Sequence, residues 1–270
     1  MSNSKNSTIT SYFAPKNVAS NKSKTNKSGD ENDTSDISTP SQEDQPEKIQ
    51  NKRRLSSNTS PKPEKRQDTK PNKPSDLPLA LSHSSLPKIW LVPASSTSPT
   101  LNLTYYTGPI FTAPPRTLLI HACNTHGAWG SGIALAFKQR YPLAYKIYNS
   151  FCLVTHSPKS RPVPTGTALL IPPVDGDLGH WIGCLFTSRG FGKARDGGDV
   201  IVENTGPAME MVLEMVRKVG EEGQVIDEVR MCRVNSGKFG VPWERSARTL
   251  EGIRVREGWV GSVQVWDPDK

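Results

Sequence analysis

The segment spanning residues 117–137 constrains the fold of this chain more than any other stretch. An apolar run, Thr117-Leu-Leu-Ile-His-Ala-Cys123, ends at the polar Asn124. A turn-rich segment with three glycines follows, and Ile133-Ala-Leu-Ala-Phe137 then begins a helical pattern. A strand, a glycine loop and a helix in this order can surround an anion with backbone N–H groups. The loop has neither the Gly-Lys-Ser/Thr of a Walker A motif nor the glycine spacing of the dinucleotide fingerprint. It indicates a phosphate-bearing ligand, and the alternative is a tight turn whose glycines serve sterics alone.

Composition restricts the class of protein. The chain has 270 residues, 23 of them proline, and a formal charge of +8, which suits one ordinary domain with a tail. It contains no apolar run of about eighteen residues, so we expect no transmembrane helix and no membrane partner. The first residues, Met1-Ser-Asn-Ser-Lys-Asn, lack the apolar core of a signal peptide.

The four cysteines are scattered and form no Cys-x-x-Cys pair. This usage indicates a reducing compartment and argues against a zinc cluster or a disulfide framework. Each cysteine lies in or beside an apolar run, so we interpret all four as small buried hydrophobes: Cys123, Cys152, Cys184 and Cys232.

Residues 1–88 form the first predicted unit, a disordered tail, and residues 89–270 form the second, a folded domain. Tyr12 and Phe13 are the only aromatic residues of the tail, which is otherwise rich in Ser, Asn, Lys, Thr, Pro and acidic residues. Such a segment cannot bury enough apolar area to offset its chain entropy. The tail holds 15 Lys and Arg against 10 Asp and Glu, which is +5 of the chain's +8. The high pI therefore says little about the ligand of the folded domain.

Residues 6–16 of the tail, Asn6-Ser-Thr-Ile9-Thr-Ser-Tyr12-Phe13-Ala-Pro-Lys16, resemble the peptide that binds the sliding clamp PCNA. The resemblance implies that Ile9, Tyr12 and Phe13 insert into a pocket of the clamp. Asn6 departs from the usual glutamine, and its shorter side chain should weaken the contact. The alternative is a chance match, since motifs this short recur often.

Two basic clusters lie between residues 52 and 66. Lys52-Arg-Arg54 and Lys62-Pro-Glu-Lys65-Arg66 are spaced as in a bipartite nuclear-import signal. The alternatives are a solvated charge run or a weak tether to nucleic acid. We expect the protein in the nucleus, the cytoplasm or both.

Two types of apolar pattern alternate from Ile89 onward. Strands are predicted at residues 101–106, 117–123, 168–171, 181–186, 229–234 and 259–266. Helices are predicted at 131–151, with Pro142 starting a second helix, at 207–219 with Gly220 ending it, and at 243–252. Strands that alternate with helices indicate an α/β domain with helices on both faces of the sheet. Ligands of such sheets bind at the carboxyl ends of the strands.

A second glycine loop, Asn235-Ser-Gly-Lys-Phe-Gly-Val-Pro-Trp243, also connects a predicted strand to a predicted helix. Two such loops could hold the two ends of one diphosphate. This loop resembles the macrodomain family, and within it the fungal ADP-ribose 1″-phosphate phosphatases. The resemblance extends to two further segments, Ile120-His-Ala-Cys-Asn-Thr-His-Gly-Ala-Trp-Gly-Ser-Gly-Ile-Ala134 and Tyr141-Pro. The resemblance covers about Leu101 to Trp266. It implies a three-layer α/β/α fold with a mixed, largely parallel central sheet, preceded by the disordered tail, and a site for ADP-ribose.

The resemblance also implies which residues contact this ligand. Ala122, Cys123 and Asn124 would border the distal ribose, with the Asn124 amide bonding its hydroxyl groups. The first diphosphate loop would be Trp129, Gly130, Ser131, Gly132, Ile133 and Ala134. The second would be Asn235, Ser236, Gly237, Lys238, Phe239, Gly240 and Val241, with Phe239 against the distal ribose.

Two departures from the family pattern matter. The turn after the first strand is Gly108-Pro109-Ile110, and Pro109 stands where many members carry a residue that recognises adenine. Gly108 and Ile110 are still expected to border the ligand. Phe239 stands where the related ADP-ribosyl-glutamate hydrolases carry an aspartate, which favours the phosphatase branch.

The implied reaction is hydrolysis of the phosphomonoester on the distal ribose, which depends on positioning and charge stabilisation. Because the sequence contains no metal-ligand cluster, we expect an enzyme that needs neither metal nor cofactor. His121 is the candidate general acid or base, and a buried histidine with one hydrogen bond is its alternative. Asn124 and Asp196 complete the predicted catalytic set, with Asp196 orienting water. Asn124 should serve the ligand alone, so its replacement by alanine should abolish binding and leave the melting temperature unchanged.

The loop after the strand at 181–186 could cover the distal phosphate. Arg189, Lys193 and Arg195 would balance its charge; the alternative is an exposed polar connection. A monomeric phosphatase acting on a metabolite of tRNA splicing is the favoured function. The competing functions are a nuclear reader of ADP-ribose and a hydrolase of ADP-ribosylated proteins near replicating DNA.

Overall fold

A computed structural model describes residues 79–87 and 95–268 of the chain. The clamp-like peptide with Ile9, Tyr12 and Phe13 and the basic clusters at 52–66 lie outside these residues. None of the helices in the described ranges is long and apolar enough to cross a membrane.

The fold alternates strands with helices along the chain. The strands are β1 Leu81–Ser82, β2 Asn102–Thr107, β3 Thr117–Asn124, β4 Thr167–Ile171, β5 Trp181–Ser188, β6 Glu228–Met231 and β7 Ser262–Asp267. The helices are α1 Gly132–Arg140, α2 Pro142–Ser150, α3 Gly198–Glu221 and α4 Trp243–Glu251. The seven strands form one sheet in the order β1-β4-β5-β3-β6-β7-β2. The pairs β1–β4 and β4–β5 are antiparallel, whereas the other four pairs are parallel. The prediction of a mixed, largely parallel sheet is therefore confirmed.

Helices cover both faces of the sheet. Strand β3 alternates between two cores, because successive side chains of a strand point to opposite faces. Leu118 and Ile120 join a core with α3 and α4, whereas Leu119 and Cys123 join a second core with α1 and α2. Every residue of β3 except Ala122 is buried, as expected of a central strand covered on both sides. The predicted three-layer α/β/α architecture is therefore confirmed.

The sheet includes residues on the N-terminal side of the boundary predicted after Lys88. Leu81 and Ser82 pair with Leu170 and Leu169 at the edge of the sheet. Two residues of strand are too short to give a recognisable alternation, so the sequence alone did not reveal β1.

Helix α3 begins nine residues before the predicted start at Pro207, and Pro207 lies inside it. A proline in a helix interior removes one hydrogen bond and costs about 3 kcal/mol. Burial of the preceding turns offsets this cost, because Ile201 and Thr205 are fully buried. The helix ends at Glu221 rather than at Gly220, and Gly223 adopts a positive φ of 81° just beyond it.

Strands β3, β5 and β6 are parallel neighbours, so their carboxyl ends lie at one edge of the sheet. The segments that follow them, residues 125–131, 189–197 and 232–242, meet at this edge. Both glycine loops identified in the sequence belong to this group.

Candidate functional site

The first loop is organised by the side chain of Asn124 at the end of β3. Its Oδ1 accepts hydrogen bonds from the backbone N–H of His126 at 3.0 Å and of Ala128 at 3.3 Å. Its Nδ2 donates to the carbonyl of Ala128 at 2.6 Å. The residue is only 5 % exposed. The amide thus has a clear structural role, contrary to the expectation that it serves the ligand alone.

Two side chains of helix α2 hold the same loop through hydrogen bonds. The hydroxyl of Tyr148 donates to the Asn124 carbonyl at 2.6 Å, and Nδ2 of Asn149 donates to the Gly127 carbonyl at 2.9 Å. Gly127 has a φ of 70°, and a Cβ there would lie 3.0 Å from the Asn149 amide. Neither residue of α2 was predicted from the sequence. Tyr148 follows Tyr141 and Tyr145 at helical spacing, which indicates only a buried face.

Trp129 is a core residue rather than a ligand-facing one. It is 1 % exposed, and its ring lies 4.9 Å from that of Tyr148 and 4.7 Å from that of His121. A large buried side chain in the middle of the loop fixes the course of the backbone on either side. Its predicted part in the diphosphate loop is therefore one of support.

The residues after Trp129 are open to solvent. Gly130, Ser131 and Gly132 are exposed, whereas Ile133 and Ala134 are half-buried. A Cβ at Gly130 would meet no atom within 4 Å. The first N–H groups of a helix have no acceptor within that helix, so the start of α1 offers Gly132, Ile133 and Ala134 to an anion.

The second loop is organised by another asparagine. Asn235 has a φ of 67° and is 4 % exposed. Its Oδ1 accepts from the Thr187 hydroxyl at 2.8 Å, and its Nδ2 donates to the hydroxyls of Thr205 and Ser246 at 2.9 Å and 3.1 Å. The side chain thus joins β5, α3 and α4, and it does not face the ligand side.

The rest of the second loop provides the accessible groups. Gly237, Lys238 and Gly240 are exposed, Ser236 and Phe239 are half-buried, and Val241 is buried. The two glycine loops touch, because a Cβ at Gly132 would lie 3.4 Å from the Cγ of Lys238. The structure therefore brings together the two loops that the sequence singled out.

A third loop, after β5, closes the site from the other side. The Asp196 carboxylate accepts from the backbone N–H of Arg189 at 2.7 Å and from its guanidinium at 2.8 Å and 3.0 Å. Burial opposes ionisation, but these hydrogen bonds outweigh it and lower the pKa of Asp196. The carboxylate is engaged in holding its own loop, so the predicted role of orienting water is not supported.

Contacts between the loops complete the frame. Both the backbone N–H and the hydroxyl of Thr125 donate to the Arg189 carbonyl at 3.1 Å. Gly190 leaves no room for a side chain, since a Cβ there would lie 2.1 Å from the carbonyl oxygen of Ala194. Thr125 and Gly190 are further residues that the sequence did not single out: the contact of Thr125 joins two distant segments, and the tight turn at Gly190 has no distinctive sequence pattern.

His121 is not a residue of the cleft. It is 0 % exposed, stacks on Phe137 at 4.2 Å and contacts Cys123 at 3.5 Å. It points to the face of β3 that α1 and α2 cover, the same face as Cys123. The predicted general acid or base is thus a core histidine, the alternative that the sequence left open.

Several predicted ligand contacts are also internal. Cys123 and Ile110 are buried at 1 % and 5 % exposure and pack with α1 and α2. Ala122 is half-buried on the α3–α4 side. Gly108, with a φ of 137°, lies against the ring of Trp266. Of these, only backbone atoms and Ala122 could border a ligand.

Two of the four scattered cysteines lie close together in the fold. All four lie in the described residues and are free thiols. Cys123 and Cys184 gather with His121 so that the potential ligand atoms lie within 4.8 Å of one another. Desolvation by burial raises the pKa of the Cys123 thiol. The group became visible only once β3 and β5 were paired.

Positive charge surrounds the open side of the loops. Among the described residues, the exposed side chains of Lys193 and Lys238 have no hydrogen-bond or ion-pair partner. Arg195 donates to the carbonyls of Phe239 and Gly192 at 3.1 Å. Free cations beside exposed backbone N–H groups suit a ligand that carries several phosphates.

Comparison with known proteins agrees with this arrangement. A family model described as Macro domain matches residues 120–250. The chain is 49 % identical to an ADP-ribose 1″-phosphate phosphatase of Chaetomium globosum over 170 residues, which cover 59 % of this chain and 88 % of that protein. It is 44 % identical to the proteins of the same name from Aspergillus oryzae, covering 53 % of this chain and 85 % of that one, and from Neosartorya fischeri, covering 57 % and 92 %.

Solved structures show a weaker similarity. The macrodomain of Mycobacterium tuberculosis DarG is 19 % identical, covers 63 % of this chain and 99 % of its own, and has a TM-score of 0.47. The Oceanobacillus iheyensis macrodomain with MES bound is 17 % identical, covers 70 % and 88 %, and has a TM-score of 0.46. The assignment of the chain to a family rests on its sequence relatives.

Proposed function

The chain belongs to the macrodomain family, and from that premise we propose that it is an ADP-ribose 1″-phosphate phosphatase. The reaction hydrolyses the phosphomonoester on the distal ribose and yields ADP-ribose and inorganic phosphate. The observation that carries the proposal is the 49 % identity to a phosphatase of this name, of which the chain covers 88 %. Such kinship favours an enzyme over a reader that only binds ADP-ribose.

The two glycine loops support a diphosphate at the centre of the site. The exposed backbone at Gly130–Gly132 and at Gly237–Gly240 lies at the carboxyl ends of adjacent parallel strands. Each loop leads into a helix, so the N-termini of α1 and α4 both stabilise negative charge nearby. The glycines at positions 130, 132, 237 and 240 let the backbone approach the phosphate oxygens closely.

Lys238 and Lys193 are the residues that we assign to the phosphates of the substrate. Lys238 lies against Gly132 at the start of α1, and Lys193 lies exposed in the loop after β5. Neither ammonium group has a partner among the described residues, so neither must break an ion pair to bind. A transferring phosphoryl group gains most of its stabilisation from such positioned charges.

His126 is the residue that we assign to proton transfer. Of the five histidines, His121 and His180 are buried, and the rings of His83 and His156 lie tilted to each other at 5.5 Å beside Phe151. His126 is exposed in the first loop, opposite Phe191 of the third. An imidazole there can remove the proton of the attacking water or protonate the leaving ribose oxygen.

Phosphate release from ADP-ribose 1″-phosphate tests these roles. The full chain is assayed with EDTA present, and ADP-ribose binding is measured on the same samples. We expect His126→Gln to lower kcat by about 10²-fold or more and to leave ADP-ribose binding intact. Lys238→Met should raise KM. The matched controls are His156→Gln, whose ring contacts His83 and Phe151, and Lys146→Met at an exposed position of α2.

The other outcomes identify the competing functions. Tight ADP-ribose binding by the wild-type chain without turnover would make it a reader and end the phosphatase proposal. Release of ADP-ribose from a modified protein, with no phosphate released from the free metabolite, would make it a protein hydrolase. If the wild-type chain neither binds ADP-ribose nor releases phosphate, the proline in the turn at residues 108–110 prevents nucleotide recognition.

For the tail we propose sliding-clamp binding and nuclear import, which only the sequence supports. The supporting residues are Ile9, Tyr12 and Phe13 for the clamp and the basic clusters at 52–66 for import. Titration of a peptide spanning residues 1–20 against the clamp tests the first. Saturable binding that is lost when Tyr12 and Phe13 become alanine is expected, and its absence would dismiss the proposal.

A further inference from the structure

The layer formed by α1 and α2 belongs to a long stretch of the chain without acidic residues. Residues 77–174 contain no Asp or Glu. The whole chain has 26 of them in 270 residues, so an even spread would place about nine in a stretch of this length. Five bases lie on the two helices and in the segment that follows them, and we call these the α1–α2 bases: Lys138, Arg140, Lys146, Lys159 and Arg161.

The layer formed by α3 and α4 has the opposite balance. Residues 198–258 hold eleven Asp and Glu against nine Lys and Arg. Six of these nine bases are in ion pairs: Arg217, Lys218, Arg230, Arg233, Arg245 and Arg256. None of the ion pairs in the described part of the chain involves an α1–α2 base. Asp175 lies near the start of α2, but its carboxylate accepts from the backbone N–H groups of Leu143 and Ala144 at 2.7 Å and 3.0 Å. The positive charge of the α1–α2 layer is therefore uncompensated.

The α1–α2 bases are open to solvent on one side of the sheet. Four of them are exposed: Arg140, Lys146, Lys159 and Arg161. Lys138 is half-buried, and its ammonium lies 4.3 Å from the centre of the Tyr145 ring, a contact that joins α1 to α2. Positions 159 and 161 lie between Cys152 and Val163, which both pack in the core beneath these helices. The five charges thus share one side of the domain.

We propose that the α1–α2 layer binds the phosphate backbone of a nucleic acid strand. Such a strand carries one negative charge per nucleotide, and bases without carboxylate partners can displace its counterions without breaking an ion pair. A membrane surface fits less well, because membrane-bound helices bury exposed apolar side chains between their bases. Here the aromatic side chains of Phe137, Tyr141 and Tyr148 face the core, at 0 to 1 % exposure. Contacts to phosphates alone carry little sequence information, so we expect binding with little preference for sequence.

This surface is separate from the glycine loops. Helix α1 begins at Gly132 in the first loop and ends at Arg140, so Lys138 and Arg140 lie about 9–12 Å along the helix from that loop. A strand on the α1–α2 layer therefore leaves the loops open to ADP-ribose. The inference goes beyond the phosphatase proposal and does not depend on it.

Oligonucleotide binding by the full chain tests the proposal. Fluorescence anisotropy of short labelled RNA and DNA strands is measured over a range of KCl concentrations. The double variant Lys146→Gln/Lys159→Gln should weaken binding at least tenfold at low salt. It should also reduce the slope of log K against log salt by about 1.4, since each phosphate contact of a single strand contributes about 0.7. The control Arg248→Gln/Arg254→Gln removes the same charge from exposed positions of the opposite layer and should bind as the wild type does. Both variants should keep the melting temperature and the ADP-ribose affinity of the wild type.

Four results would overturn the proposal. Wild-type chain that binds neither RNA nor DNA at low salt would dismiss it outright. Equal weakening by the two double variants would show that binding follows net charge rather than this layer. Loss of binding in Lys52→Gln/Lys62→Gln, with binding kept in Lys146→Gln/Lys159→Gln, would assign the contact to the tail. Binding to vesicles of phosphatidylserine and phosphatidylcholine, without binding to either oligonucleotide, would make the layer a membrane surface.

Discussion

Replacement of Asn124 by alanine tests whether this residue serves the fold as well as the ligand. The change removes two hydrogen bonds accepted by Oδ1 and one donated by Nδ2 within the first loop, and a longer one that Oδ1 accepts from the Tyr148 hydroxyl at 3.3 Å. A typical intramolecular hydrogen bond contributes about 1 kcal/mol net, so we expect a loss of about 3 kcal/mol in the free energy of unfolding. For a domain of this size each kcal/mol shifts the melting temperature by about 2–4 °C, which predicts a fall of about 6–12 °C.

The assay pairs thermal unfolding with calorimetric titration of ADP-ribose on the same samples. Asn149→Ala is the graded control, because it removes a single hydrogen bond to the same loop and should lower the melting temperature by about 2–4 °C. Both variants should bind ADP-ribose less well, and Asn124→Ala should lose more affinity. If Asn124→Ala melts within about 2 °C of the wild type while binding disappears, the hydrogen bonds of the amide contribute nothing and the residue serves the ligand alone. This threshold is the lower end of the shift expected for one hydrogen bond.

Two further substitutions probe the third loop. Gly190→Ala would place a Cβ 2.1 Å from the Ala194 carbonyl oxygen, so we expect the loop to move and kcat to fall at least tenfold. The control is Gly197→Ala, where a Cβ meets nothing within 4 Å and kcat should not change. Equal activity of the two variants would contradict this expectation. The hydrogen bonds from Arg189 lower the pKa of Asp196, so the stability they contribute is present above the usual aspartate pKa of about 4 and is lost as the pH falls through the lower folded value. Asp196→Asn should therefore melt below the wild type at pH 7 and with it in strong acid, and a difference that persists in acid would exclude the ion pair as its cause.

The element pattern of this chain was largely readable from its sequence. The apolar run of β3 and the glycine loop after it predicted a buried strand, a turn and a helix, and all three are present at residues 117–140. Pro142 begins α2 as predicted, since proline suits the first turn of a helix. The start of α3 was missed, because burial of Ile201 and Thr205 outweighs the local cost of Pro207.

The candidate site was predicted as a region but not residue by residue. Asn124 and Asn235 both end up at the site, yet both amides are engaged in holding their own loops. Trp129 and His121 point into the core instead of the cleft. The hydrogen bonds of Asn235 to α3 and α4 join separate segments of the chain. The spacing of residues in the sequence therefore does not predict them.

The sequence by itself determined the order of the elements and the two backbone loops that face a phosphate ligand. It could do so because apolar periodicity and glycine positions act locally, within one strand, turn or helix. Only the tertiary structure decided which side chains face the ligand and which face the core. That choice depends on the order and register of the strands: the pairing of β3 with β5 turns His121 and Cys123 toward Cys184 and away from the cleft. Sheet order is a property of the whole domain, because each strand is placed by its neighbours and by the helices that cover it.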